Sequence, residues 1–87
     1  MDLPFQQERI SDKEVIRLFS EFVDEDDLKW HFDKEDRIVE ALEPTDWLIQ
    51  FDNQLPQLIK GSIEIPAGLY HRVIKGKKDF KIKIKMS

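Results

Sequence analysis

The stretch Gly61–Lys75, "GSIEIPAGLYHRVIK", decides the fold. Two short β-prone runs, "SIEIP" and "YHRVIK", flank a Pro-x-Gly turn, and a histidine stands at the start of the second. Pro66 fixes φ on entry to the turn, and Gly68 supplies a backbone conformation that a side chain would forbid. The next strand then begins with His71 facing inward. Alternation along that strand sends Tyr70 and Arg72 to the opposite side, toward a surface or an interface.

Working outward, the same period of two recurs. "LKWHF" places Leu28, Trp30 and Phe32 on one face and Lys29 and His31 on the other. "RIVEALE", "DWLIQFD" and "LPQLIK" read as further short strands, broken at Pro44–Asp46, Asp52–Asn53 and Gly61. "DFKIKIKM" alternates Phe80, Ile82, Ile84 and Met86 with Lys81, Lys83 and Lys85, and the lysines would protect an exposed strand edge. About seven short strands at such spacing predict a mainly β sandwich or barrel over residues 28–86.

Residues 11–23 predict one N-terminal α-helix. Ser11 and Glu14 fit a capping box, and Val15, Leu18, Phe19, Phe22 and Val23 form a stripe at three- and four-residue spacing. "DEDD" (Asp24–Asp27) would end that helix, because acidic groups are unfavourable at its negative end. It lacks the glycine and the closing glutamate of an EF-hand loop, so it reads as a solvated loop.

The chain has 87 residues, enough for one domain (1–87) with a modest core, and its 40% apolar and 37% charged content suits a globular protein. Without cysteine there is no disulfide or thiolate chemistry. No apolar run would span a bilayer, and "MDLPFQQERISD" is unlike a secretory leader, so a cytoplasmic location away from membranes is expected. The net charge of −4 is uneven, since most acidic residues precede residue 54 and most basic ones follow it. Opposite charges meeting across a sheet explain this better than a nucleic-acid-binding tail.

Gly61, Pro66, Gly68 and His71 together resemble the second signature of the cupin superfamily, a group of small jelly-roll barrels. One residue fewer than usual separates Gly61 from Pro66, and Lys75 stands where asparagine is common. The first cupin signature, His-x-His followed by Glu and Gly, has its counterpart in "HFDKEDRIVEALEP". There His31 matches the first histidine, Asp33 replaces the second, Arg37 replaces the glutamate and Pro44 the glycine. The resemblance implies a cupin-type barrel with the N-terminal helix packed on it or on a partner.

The resemblance also implies a divalent-metal site, for which His31, Asp33 and His71 are the available ligands; iron, zinc, manganese, nickel and copper all suit such a set. Arg37 cannot ligate and would repel a cation, so its natural partner is Asp33 or Glu35, and pairing with Asp33 would compete with the metal. Without metal, His71 would act as a general acid–base beside Asp33 and Arg37. His31, Gln50 and Trp47 are candidate pocket residues, although the core is the competing place for both tryptophans.

Three functions follow as expectations. The first is a small-molecule pocket, in an enzyme of oxygenase, isomerase or lyase type whose substrate is anionic because arginine lines the site. The second is a non-catalytic binding or structural cupin without metal. The third is weak nucleic-acid binding through "KGKKDFKIKIK", which ranks last because the chain is acidic overall. A homodimer is expected because several strands carry apolar residues on both faces.

Overall fold

The structure, a computed structural model, describes residues 3–87. It holds eight strands: β1 (Gln6–Arg9), β2 (Glu14–Phe19), β3 (Arg37–Ala41), β4 (Leu48–Phe51), β5 (Gln57–Leu58), β6 (Ser62–Ile65), β7 (His71–Ile74) and β8 (Phe80–Met86). Five form an antiparallel sheet in the order β1-β2-β8-β3-β6, and three form a second in the order β5-β4-β7. The sheets face each other as a small jelly-roll barrel. Among the described residues, no helix is long and apolar enough to cross a membrane.

The predicted N-terminal helix is corrected to a β-hairpin. Residues 14–19 pair with β1 on one side and along their whole length with β8 on the other. Val15 and Phe19 are buried and Leu18 is exposed, which is alternation of period two. Val15 and Ile16 are β-branched, and a six-residue ladder against β8 overrides a modest local helix preference. Ser11 and Glu14 close the hairpin turn instead. The Lys13 amide donates to Ser11 Oγ at 3.3 Å, and the Ile10 and Ser11 amides donate to the Glu14 carbonyl. The barrel therefore begins near residue 6, before the predicted start at 28.

A second correction concerns "LKWHF", which forms no strand. A 3-10 turn at Glu25–Asp27, capped by Asp24, leads into an irregular segment whose one sheet-like contact is a bridge between His31 and His71. Leu28 packs against the core, whereas Trp30 and Phe32 are exposed. "DEDD" is a solvated turn, as its composition suggests.

The core lies between the sheets. Phe80 stacks on Trp47 with ring centroids 5.0 Å apart, and Phe19 tilts against both. Ile82 and Ile84 of β8 continue this layer beside Val15 and Val39, with Ile49 and Phe51 also buried. On the outer face of β8 the lysines meet the acidic half of the chain. Lys83 Nζ lies 3.7 Å from Glu14 and 3.8 Å from Glu40, one on each neighbouring strand. The uneven charge is thus spread across one sheet, and the lysine-rich strand is internal to it, not an edge.

Phe80 is 1% exposed and touches both large aromatics, so Phe80→Ala should cost about 3–5 kcal/mol, measured by urea unfolding.

Candidate functional site

Two segments build the site: the irregular stretch before β3 and the Pro66–Gly68 turn before β7. Gly68 has φ +80°, as its place in the turn demands, and its amide donates to the Asp33 carbonyl at 2.9 Å. The Ala67 amide donates to Asp36 Oδ1 at 2.8 Å. Backbone bonds of 3.0 and 2.9 Å run both ways between His31 and His71. The turn therefore fixes the segment that carries His31 and Asp33, as well as the strand that carries His71.

Each imidazole is also oriented by its own backbone. His31 Nδ1 lies 2.9 Å from the Lys29 carbonyl, and His71 Nδ1 lies 2.9 Å from the Leu69 carbonyl. A carbonyl can only accept, so in the neutral form of each ring Nδ1 carries the proton and Nε2 the lone pair. His71 Nε2 lies 3.5 Å from Asp33 Oδ2. One ligand atom from each of His31, Asp33 and His71 falls within 4.8 Å of the others. His71 is 3% exposed, and burial is the main cause lowering its pKa, reinforced by His31 and Arg37 and opposed by its Leu69 hydrogen bond and Asp33. A neutral imidazole is the form that can ligate.

Arg37 lines the same cavity, but its guanidinium is engaged chiefly by Glu35. Its Nε and Nη2 donate to Glu35 Oε1 at 3.0 and 2.8 Å, while Nη1 stands 3.4 Å from Asp33 Oδ1. Asp33 keeps Oδ2 turned toward His71, so the pairing does not consume it as a ligand. The expected competition between Arg37 and a metal for Asp33 is relieved by Glu35.

These groups sit at one side of a cavity of about 370 Å³ between the sheets, walled mainly by Phe19, Val39, Ile49, Ile65, Val73 and Ile84. Trp47 is not among the lining residues; it is fully buried in the aromatic core, and its Nε1 donates to the Lys78 carbonyl. Gln50 is absent from the lining too. Its Oε1 accepts from Arg72 Nε and Nη2 at 3.0 and 2.8 Å, and its Nε2 donates to the Gln54 carbonyl. The odd-numbered residues of β4 face the core, and Gln50 lies between them. Tyr70 and Arg72 are directed away from His71, with Tyr70 edge-on to Phe32 and Arg72 over Trp30.

The residue that sequence reading missed is Arg17. It lies on β2 between the inward Val15 and Phe19 and lines the cavity. Read with period two, "VIRLF" would have aimed it inward, but the helical reading concealed this.

With this geometry in place, comparison with solved structures shows a cupin fold. A cupin domain from Bordetella pertussis Tohama I matches at TM-score 0.63 and 16% identity, covering 100% of this chain and 98% of that one. DMSP lyase DddQ from Ruegeria pomeroyi DSS-3 matches at TM-score 0.69 and 14% identity, covering 95% and 46%. FeII HppE matches at TM-score 0.63 and 16% identity, covering 85% and 41%. The chain thus spans less than half the length of the latter two. No protein-family model and no curated protein matches the sequence.

In chelator-treated protein, His71 should weaken the fold in acid. Burial holds its folded pKa below the unfolded value of 6.5, so its stabilising share is complete above 6.5 and is lost as pH falls through the lower folded value. Urea unfolding between about pH 7.5 and 5 should show wild type losing stability more steeply than His71→Phe.

Proposed function

We propose that this cupin barrel holds one divalent metal through His31, Asp33 and His71 and acts there on a small molecule bound in the cavity. The observation that carries this reading is the double tether of the imidazoles. Both Nδ1 atoms are bonded to backbone carbonyls, which leaves the Nε2 lone pair of each neutral ring free. His71 Nε2 faces the Asp33 carboxylate, and one ligand atom from each of the three residues lies within 4.8 Å of the others. Backbone carbonyls commonly orient metal-bound histidines in this way. Two imidazoles and a carboxylate suit iron, zinc, manganese, nickel or copper. A DMSP lyase and an FeII protein among the similar folds support the same reading.

Each residue then has a physical task. His31, Asp33 and His71 supply the donor set, and a bound metal would supply Lewis acidity to a ligand beside it. Arg37 is a positioning residue that holds Asp33 by Oδ1 and leaves Oδ2 for the site. Glu35 in turn offsets the Arg37 charge. The apolar walls limit water around a bound ligand and strengthen the polar contacts made there. An enzyme of oxygenase, isomerase or lyase type fits this arrangement.

Elemental analysis after incubation with each ion tests it. Wild type should retain about one equivalent, while His31→Ala, Asp33→Asn and His71→Ala should each weaken uptake about tenfold or more. Arg37→Gln should still take up metal. Failure of wild type to hold any of the ions would overturn the metal reading and favour a non-catalytic cupin, with His71 and Asp33 as a polar pair.

We also propose that the protein is a homodimer. The outward cluster of Trp30, Phe32 and Tyr70, each more than 40% exposed, supports this. Sedimentation should show a dimer that Phe32→Glu dissociates.

A further inference from the structure

We propose that Arg17 is the ligand-recognition residue of the cavity, and that the ligand is a small carboxylate with an apolar body. This rests on the reading of the cavity as a ligand site, but it does not depend on a metal.

Arg17 stands in an unusual place for a guanidinium. It is partly buried on the inner face of β2, between Val15 and Phe19, in a cavity whose walls are otherwise mostly aliphatic and aromatic. Its Nε donates to the neutral Gln7 amide oxygen at 2.6 Å, and its Cζ lies 4.1 Å from the centroid of the Phe5 ring. Among the described residues no carboxylate pairs with it. Its other nitrogens make no hydrogen bond there either, although both remain strong donors.

Arg37 provides the contrast within the same cavity. It is neutralised by Glu35 and Asp33, so its charge is already answered. Arg17 is held in a partly desolvated position and also feels Arg37, and these two effects bring its pKa down to about 10 against a smaller opposing pull from the Asp33 carboxylate. It remains a cation at neutral pH, and among the described residues no carboxylate lies within ion-pair distance of it. Desolvating a charge without a partner is costly, and a bound anion removes that cost.

The shape of the guanidinium and the character of the walls define the anion. The remaining N–H groups form a planar fork that matches a carboxylate. The rest of the ligand must lie against Phe19, Ile82 and Ile84, which surround Arg17 with apolar surface. On this side of the cavity a heavily hydroxylated body would meet no polar partners, the polar groups His31, Asp33, Arg37 and His71 being gathered at the other cluster, so a short aliphatic or aromatic carboxylate fits best. Phe5, stacked on the guanidinium and tilted against Phe19 at 5.3 Å, fixes the direction in which the fork points.

Calorimetric titration of chelator-treated protein with hexanoate and with uncharged hexanamide, at low salt, tests the assignment. Wild type should bind hexanoate at least about tenfold more tightly than the amide, a typical margin for a charge-assisted pair. Arg17→Gln should erase that preference, Arg17→Lys should keep part of it, and Arg37→Gln should keep it. Thermal unfolding should show Arg17→Gln folded, because it loses a desolvated charge without losing an ion pair. Equal binding of the acid and the amide by wild type overturns the proposal without any variant. So does failure to bind hexanoate, or an undiminished preference in Arg17→Gln. Metal uptake is measured separately, so a protein that binds hexanoate but no metal keeps this assignment while losing the metal site. One that takes up metal but ignores hexanoate shows the reverse.

Discussion

Two backbone hydrogen bonds join His31 to His71, and through them an irregular segment acquires a fixed place on the edge of the three-stranded sheet. Among the described residues the segment has no other strand partner, so its position depends on this bridge and on the turn at Pro66–Gly68. Gly68 anchors the Asp33 carbonyl and Ala67 anchors Asp36, which places His31 and Asp33 within two residues of a backbone contact to the turn or the strand after it. The side chains can then converge without help from a rigid element of their own. Preorganisation of this kind is what a binding site requires of the residues around it.

Charge is handled differently on the two faces of the large sheet. Outside, Lys83 lies between Glu14 and Glu40 in water, where such pairs contribute little and are weakened by salt. Inside, few charges are present and each has a specific environment. Glu35 and Asp33 answer Arg37, Asp33 also faces His71, and Arg17 is held by a neutral amide and a phenyl ring.

Much of the barrel could be read from the chain. The Gly61, Pro66, Gly68 and His71 spacing identified the turn, and the alternation in "DFKIKIKM" identified β8, because both depend on local geometry that the sequence carries directly. The meeting of His31, Asp33 and His71 was legible only through the resemblance to cupins, since the last lies 40 positions after His31 and 38 after Asp33. The first strands were concealed. In "EVIRLF", an arginine on the inner face breaks the apolar alternation, and the apolar residues beyond it then fall at helical spacing. Trp47 and Gln50 were drawn to the pocket by their chemistry, but the register of β4 sends Gln50 outward and places Trp47 just before the strand, against Phe80. Register is a long-range property, set by partners that a single segment does not announce.

The placement of β8 also governs the order in which this fold can be made. It follows the other seven described strands along the chain, yet it lies between β2 and β3 in the middle of the larger sheet. As a nascent chain leaves the ribosome, β2 and β3 have no common neighbour until residues 80–86 emerge. Only the β1–β2 hairpin, the β3–β6 pair and the smaller sheet can form before then. Closure of the larger sheet is therefore a late, non-local step, and such steps fold slowly and leave strand edges open in the interval. The lysines along "KIKIK" stand on the strand that completes this sheet, where their like charges discourage it from pairing with its counterpart on a neighbouring nascent chain.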